Sequence, residues 1–127
     1  MEMKIVFSGN KKVDAHYNGF TVHTDQPEHH GGDATAPAPF DLFLASLGTC
    51  AGFYVLGFCR QRDLPTDGIE LIQKMEFDSV KKMVAKITIE IHLPPQFPEK
   101  YHDALIKSAS ACAVRSEEHT SELQSQR

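Results

Sequence analysis

Residues 39–62 read PFDLFLASLGTCAGFYVLGFCRQR, and their reading decides the fold. Pro39 suits the first position of a helix, where its missing N–H costs nothing. Asp41 falls in the first turn, where the helix dipole favours a carboxylate; Arg60 and Arg62 fall near the other end, where cations are favoured. Pro65 stands just beyond. The stretch predicts one long helix, apolar nearly all round, of the kind buried inside a domain or between subunits. Its small residues let another backbone come close. The eighteen residues between Asp41 and Arg60 are uncharged, near the ~20 apolar residues of a membrane span. Ser46, Gly48, Thr49, Gly52 and Gly57 dilute the run, and nothing else in the chain reads as membrane-bound. A buried helix of a soluble protein is expected, with no membrane partner.

Upstream lie three short strand candidates. MKIVFSG puts Ile5 and Phe7 on one face, KKVDAHY puts Val13, Ala15 and Tyr17 on one face, and NGFTVHTD sets Phe20 and Val22 opposite Thr21 and His23. Asn18-Gly19 is a two-residue hairpin signal. The stretch QPEHHGGDATAPAP then reads as a loop. Downstream, GIELIQKMEF (68–77) turns Ile69, Leu71, Met75 and Phe77 inward, and VAKITIEIHL (84–93) turns Ala85, Ile87, Ile89, Ile91 and Leu93 inward. These are two amphipathic antiparallel strands. A second helix starts at about Pro98 and carries Tyr101, Leu105, Ala109 and Cys112 on one face. Strands packed on helices in this order predict an α+β fold.

The length of 127 residues predicts a single domain, and the net charge of −4 is spread over interspersed acids and bases. No basic stretch occurs, so nucleic acid is not an expected partner. No secretion signal opens the chain. Three cysteines without a CxxC pair fit a reducing cytoplasm better than a disulfide framework. The ending RSEEHTSELQSQR is polar, with no apolar face, and residues 115–125 resemble the in-frame translation of a sequencing adapter. The domain is therefore expected to cover 1–114, with 115–127 a disordered, non-native tail. Without that tail the net charge is −3.

Cys50 lies about eleven residues into the long helix, beyond the reach of its N-terminal dipole. Ser46, Leu47, Phe53 and Tyr54 flank it at helical spacing, and none is a base or a cation. An apolar surround raises a thiol pKa and makes it inert. On these facts Cys50 is core packing, unless another segment or chain supplies an activator. Cys59 is half a turn round the helix from Cys50 and reads as packing. Cys112 could approach Cys50 if the helices pack, and a disulfide forms only if the Cα atoms come within about 7 Å. His29-His30 are adjacent on a loop with no third ligand at motif spacing, so no metal site is expected. His16, His23 and His92 read as surface residues. No phosphate loop, nucleophile elbow or dinucleotide fingerprint occurs, and no cofactor is expected.

GGDATAPAPFDLFLASLGTCAGFYVLGFCRQR, the paired strands that follow, ASACAV and the preceding GFTVHTDQP together resemble the OsmC/Ohr family, in its OsmC-like branch. The resemblance covers essentially all of 1–114. It implies an OsmC-like α+β fold: antiparallel sheets packed on a long, buried, cysteine-bearing helix, in an intertwined homodimer. It also implies thiol peroxidase chemistry, in which a first cysteine becomes a sulfenic acid and a second condenses with it to a disulfide. Cys50 matches the first position and Cys112 the second. The partners implied are a second copy, an organic hydroperoxide and a thiol reductant. Two positions depart from the pattern. Phe40 stands where peroxidatic members carry a glutamate, with Asp41 one step along. No arginine precedes Arg60, where such members have one that stabilises the thiolate; Lys4, Lys11 and Lys12 are the upstream cations. A non-catalytic member binding a small apolar ligand at the dimer interface is the alternative. The family also ends in a further strand, which the adapter-like tail replaces, so an unpaired sheet edge is expected.

Overall fold

The structure is a computed structural model. It describes residues 1–111 and the backbone of residues 121–126, and the chain divides into two compact units, Met1–Ala45 and Ser46–Arg127.

The first unit is a three-stranded antiparallel meander of β1 (Lys4–Gly9), β2 (Lys12–Tyr17) and β3 (Phe20–Thr24), in spatial order β1-β2-β3. All three strands were legible from alternation. Asn18 and Gly19 make the expected hairpin, with φ of 47° and 81°, the left-handed pair that a tight turn between twisted strands requires. The register sets Ile5 against Ala15 and Ala15 against Val22, so these apolar residues share one face. Asp14 pairs with His23 across the other, their side chains 3.2 Å apart. Ile5, Phe7 and Phe20 remain exposed.

Helix α1 (Pro39–Gln61) begins in the first unit, and most of it belongs to the second. It starts at Pro39 with Asp41 in its first turn and Arg60 in its last, as the sequence predicts. In the second unit it is joined by β4 (Glu70–Asp78), β5 (Met83–His92), a short 3₁₀ turn at Glu99–Tyr101 and α2 (His102–Ala109). The backbone of β6 (Ser121–Gln126) completes a sheet ordered β4-β5-β6. β4 and β5 are antiparallel; β6 runs parallel to β5, from Ile87↔Ser121 to His92↔Gln126.

The core of this unit joins one stripe of α1 (Ala51, Val55, Phe58, Cys59) to Ile89, Ile91 and Leu93, closed by Phe97, Leu105 and Ala109. Fully burying one such aliphatic side chain stabilises by about 1.5–3 kcal/mol. Gly48 faces β4, where a Cβ would meet Oε1 at the flexible end of the Gln73 side chain. At the end of α1, the Arg62 guanidinium sits 3.7 Å over the Phe58 ring and donates to the Phe58 carbonyl at 3.2 Å, so an orphan carbonyl of the last turn is satisfied.

Within one chain the apolar helix is buried along one stripe, and Phe40, Phe43, Phe53 and Leu56 are exposed; a run apolar on all sides does not say which side has a partner. Two expectations change. Met75 and Phe77 lie on the predicted strand but are exposed, since alternation gives a face and not its cover. The second helix ends at Ala109, where Ser110 Oγ donates back to the Ile106 carbonyl at 2.9 Å; serine competes with the ladder in this way. Strand β6 falls within residues 115–127 and pairs with β5. An exposed edge is a template of unpaired N–H and C=O groups that takes up available backbone.

Candidate active site

Cys50 sits on α1 one position before the buried stripe and is partly buried, while Leu47 and Ala51 beside it are fully buried. It takes part in a disulfide and so has no thiol to titrate in this state. Cys59 is the contrasting case. It is a free thiol with no exposed surface, inside the core cluster. Burial pushes its pKa up, partly offset by the charge of Arg62. Such a thiol is inert at neutral pH, as its helical position predicts. Cys112 lies outside the described residues.

The positions that depart from the family pattern lie in the first unit. Phe40 is exposed and stacks on Phe43, with ring centroids 5.9 Å apart. Lys12 is committed to Asp33, with Nζ 2.5 Å from Oδ2. That hydrogen bond raises the Lys12 pKa and lowers that of Asp33, which also accepts from Asn10 at 3.3 Å.

The loop between β3 and α1 is built around a residue that sequence reasoning passed over. Asp25 is completely buried. Its carboxylate accepts the Gln26 N–H (2.8 Å), the Thr35 N–H (3.0 Å) and the Thr35 hydroxyl (2.7 Å). Its own N–H donates to the Pro37 carbonyl at 3.1 Å. The bonds from Thr35 hold its pKa far below the ordinary carboxylate range, against the cost of burial. Gly32 is obligatory in this clasp, because a Cβ there would lie 1.9 Å from the Gln26 carbonyl oxygen. The available signal was an aspartate at a strand end opening a Pro/Gly loop, the usual setting of a side chain that caps local backbone. Beside the loop is an open cavity of about 430 Å³ whose lining includes Pro27, His30, Ala36, Pro37 and Phe40. The His29 and His30 rings stack 4.3 Å apart. No cluster of three or more metal-ligating side chains occurs among the described residues.

A second polar group lies on the sheet of the second unit. Glu90, nearly buried, accepts from Lys74 Nζ at 2.9 Å and faces His92 Nε2 at 3.1 Å. Both partners lower its pKa, Lys74 first. His92, a surface residue by its sequence, is part-exposed and belongs to this group.

Comparison with known proteins places the chain. The family model described as OsmC-like protein matches residues 31–117. None of the curated proteins matches the chain. Among solved structures, a protein of Psychrobacter arcticus 273-4 ascribed to the osmotic stress and detoxification response superposes with a TM-score of 0.81 at 19% identity, covering 98% of this chain and 93% of that one. An OsmC-like protein of Mycoplasma pneumoniae gives 0.75 at 12% identity, with coverages of 98% and 93%. The organic hydroperoxide resistance protein OsmC of Legionella pneumophila gives 0.63 at 14% identity, with coverages of 99% and 96%.

Proposed function

The chain belongs to the OsmC-like protein family, and from that premise we propose that it reduces organic hydroperoxides by cysteine chemistry, with Cys50 attacking and Cys112 resolving. The observation that carries the reading is the contrast between two cysteines of one helix. Cys59 is sealed in the core with a raised pKa. Cys50 is off the buried stripe and already oxidised. A similar fold in a protein named for organic hydroperoxide resistance supports the same chemistry.

In the first step the Cys50 thiolate attacks a peroxide oxygen. The S–O bond forms as the O–O bond breaks, and the departing alkoxide takes a proton and leaves as the alcohol. In the second step the Cys112 thiol attacks the sulfenic sulfur; an S–S bond forms and water leaves. A dithiol reductant then returns two electrons and two protons by thiol–disulfide exchange. The helical neighbours Leu47 and Phe53 favour an apolar organic peroxide over hydrogen peroxide.

A second copy of the chain completes the site in this reading. The exposed side chains Phe53 and Leu56 of α1 offer an unpaired apolar face, of the kind that marks an interface. Ser46, Leu47, Phe53 and Tyr54 supply no cation, so a group that activates Cys50 has to come from elsewhere than its own helical neighbours. The protein works where a thiol reductant is available, as in a reducing cytoplasm.

The test is consumption of cumene hydroperoxide with dithiothreitol as reductant. Wild type and Cys59→Ser should both turn over, and Cys50→Ser should not. Equal rates for Cys50→Ser and wild type, or no turnover by the folded wild type, would contradict the proposal.

A further inference from the structure

The peroxidase reading leaves one proton without a source. As the Cys50 thiolate opens the O–O bond, negative charge gathers on the departing oxygen, and an alkoxide leaves poorly unless something donates to it. Such relief comes from a donor held beside the reacting sulfur. Two rings follow Cys50 at helical spacing on α1, Phe53 at i+3 and Tyr54 at i+4. Long side chains of a helix point back toward its N-terminus, onto the turn three and four residues before them. The rings of Phe53 and Tyr54 are thereby directed at the turn that carries Cys50. They meet edge to face, with centroids 6.0 Å apart and planes at 84°, an arrangement that aromatic pairs prefer. Phe53 is exposed and Tyr54 is partly buried. The Tyr54 hydroxyl makes no hydrogen bond among the described residues, whereas Ser46, the hydroxyl one turn before Cys50, is not free.

We propose that Tyr54 is the proton donor to the leaving oxygen, a further catalytic residue of this site; the inference rests on the peroxidase reading. The thiolate sulfur attacks one peroxide oxygen. The S–O bond forms and the O–O bond breaks, so the sulfur is oxidised and the peroxide reduced. The departing alkoxide takes the proton of the Tyr54 hydroxyl and leaves as the alcohol. The tyrosinate recovers a proton from water, which balances the one that the Cys50 thiol gave up on ionising. Tyr54 brings no positive charge, so it serves the leaving group and does not activate the thiol. Phe53 braces the phenol ring through the edge-to-face contact. With Phe40 at the family's glutamate position and no arginine before Arg60, the site is short of polar side chains, and the phenol restores one donor.

The experiment sets two oxidants on the reduced full chain. Cumene hydroperoxide expels an alkoxide; perbenzoic acid expels a carboxylate, which needs no proton. Loss of the Cys50 thiol is followed in wild type and in Tyr54→Phe, with Cys50→Ser to subtract reaction elsewhere. Tyr54→Phe should slow the reaction with cumene hydroperoxide by about a hundredfold. It should leave the reaction with perbenzoic acid, and alkylation of Cys50 by iodoacetamide, at wild-type rates. The variant keeps the ring, so its melting temperature should match wild type. Equal rates of wild type and Tyr54→Phe with cumene hydroperoxide overturn the proposal. So does an equal slowing with both oxidants, which would make Tyr54 a packing residue. A wild-type Cys50 that reacts with neither oxidant is a separate result: it overturns the peroxidase reading, and this inference with it.

Discussion

In the unit Met1–Ala45 the buried side chains are two carboxylates, Asp14 and Asp25; in the unit Ser46–Arg127 they are apolar, from Leu47, Ala51, Val55, Phe58 and Cys59 on α1 through the isoleucines of β5 to Leu93, Phe97, Leu105 and Ala109, with Glu90 the polar exception among the described residues. One fold thus uses two kinds of cohesion. The second unit is held by apolar area removed from water. The first is held by backbone ladders and by hydrogen bonds to an ionised carboxylate, while its aromatic residues Phe7, Phe20, Phe40 and Phe43 stay exposed. A region with no buried apolar side chain of its own depends on its charges, and in the proposed reading on a second copy.

The largest effect should come from the apolar side. Ile89→Ala removes a fully buried side chain from the core cluster and should cost about 2–5 kcal/mol, read from the midpoint of denaturant unfolding. An unchanged midpoint would mean that this core is not what holds the second unit.

Asp25→Ala should come next. It strands the N–H groups of Gln26 and Thr35 and the Thr35 hydroxyl. The melting temperature should fall by roughly 10 °C, with amide exchange accelerating over residues 25–37 and not over β5. Uniform acceleration would show that the two units do not differ in the way described.

Acid should do less, because protonation leaves the Asp25 side chain in place. Asp25, Asp33 and Glu90 all have folded-state pKa values below their ordinary ones. Their stabilisation is therefore complete above the ordinary carboxylate range near pH 4 and is lost as the pH falls through the folded values. Lys12 has the opposite sign. Its pKa is raised, so its contribution is present below the ordinary lysine value and is lost as the pH rises through the raised one. Exchange protection in the 25–37 loop should decay below about pH 4 before that of the β5 core. Simultaneous loss would erase the contrast.

Lys12→Gln should have the smallest effect. The pair with Asp33 is solvent-exposed, and exposed pairs contribute little. A melting temperature within about 3 °C of wild type is expected; a larger fall would make this pair a second pillar of the first unit.

Much of this was legible in the chain. Pro39, the apolar run and Arg60 give α1 nearly to the residue, Asn18-Gly19 gives the first hairpin, and the alternating isoleucines give β5. Cys59 as packing also follows from its helical position. What the sequence hides is partnership. Asp25 is ten residues from Thr35 across an irregular loop, and no periodicity connects them. Alternation puts Met75 and Phe77 on a face without saying what covers it. The end of α2 turned on one serine bonding back to its own helix. At the candidate site position alone reads Cys50 as packing and only the family motif singles it out; the group that would activate it is no neighbour on its own helix, so spacing could not reveal it.

The central claim is that Cys50, and not Cys59, is the residue that meets the peroxide. It is tested most directly by treating the reduced Cys112→Ser variant with one equivalent of cumene hydroperoxide, trapping sulfenic acid with dimedone and locating the adduct by mass spectrometry. The account predicts an adduct on Cys50 and none on Cys59 until the protein is unfolded. An adduct on Cys59 in the folded protein, or none on Cys50, would contradict it.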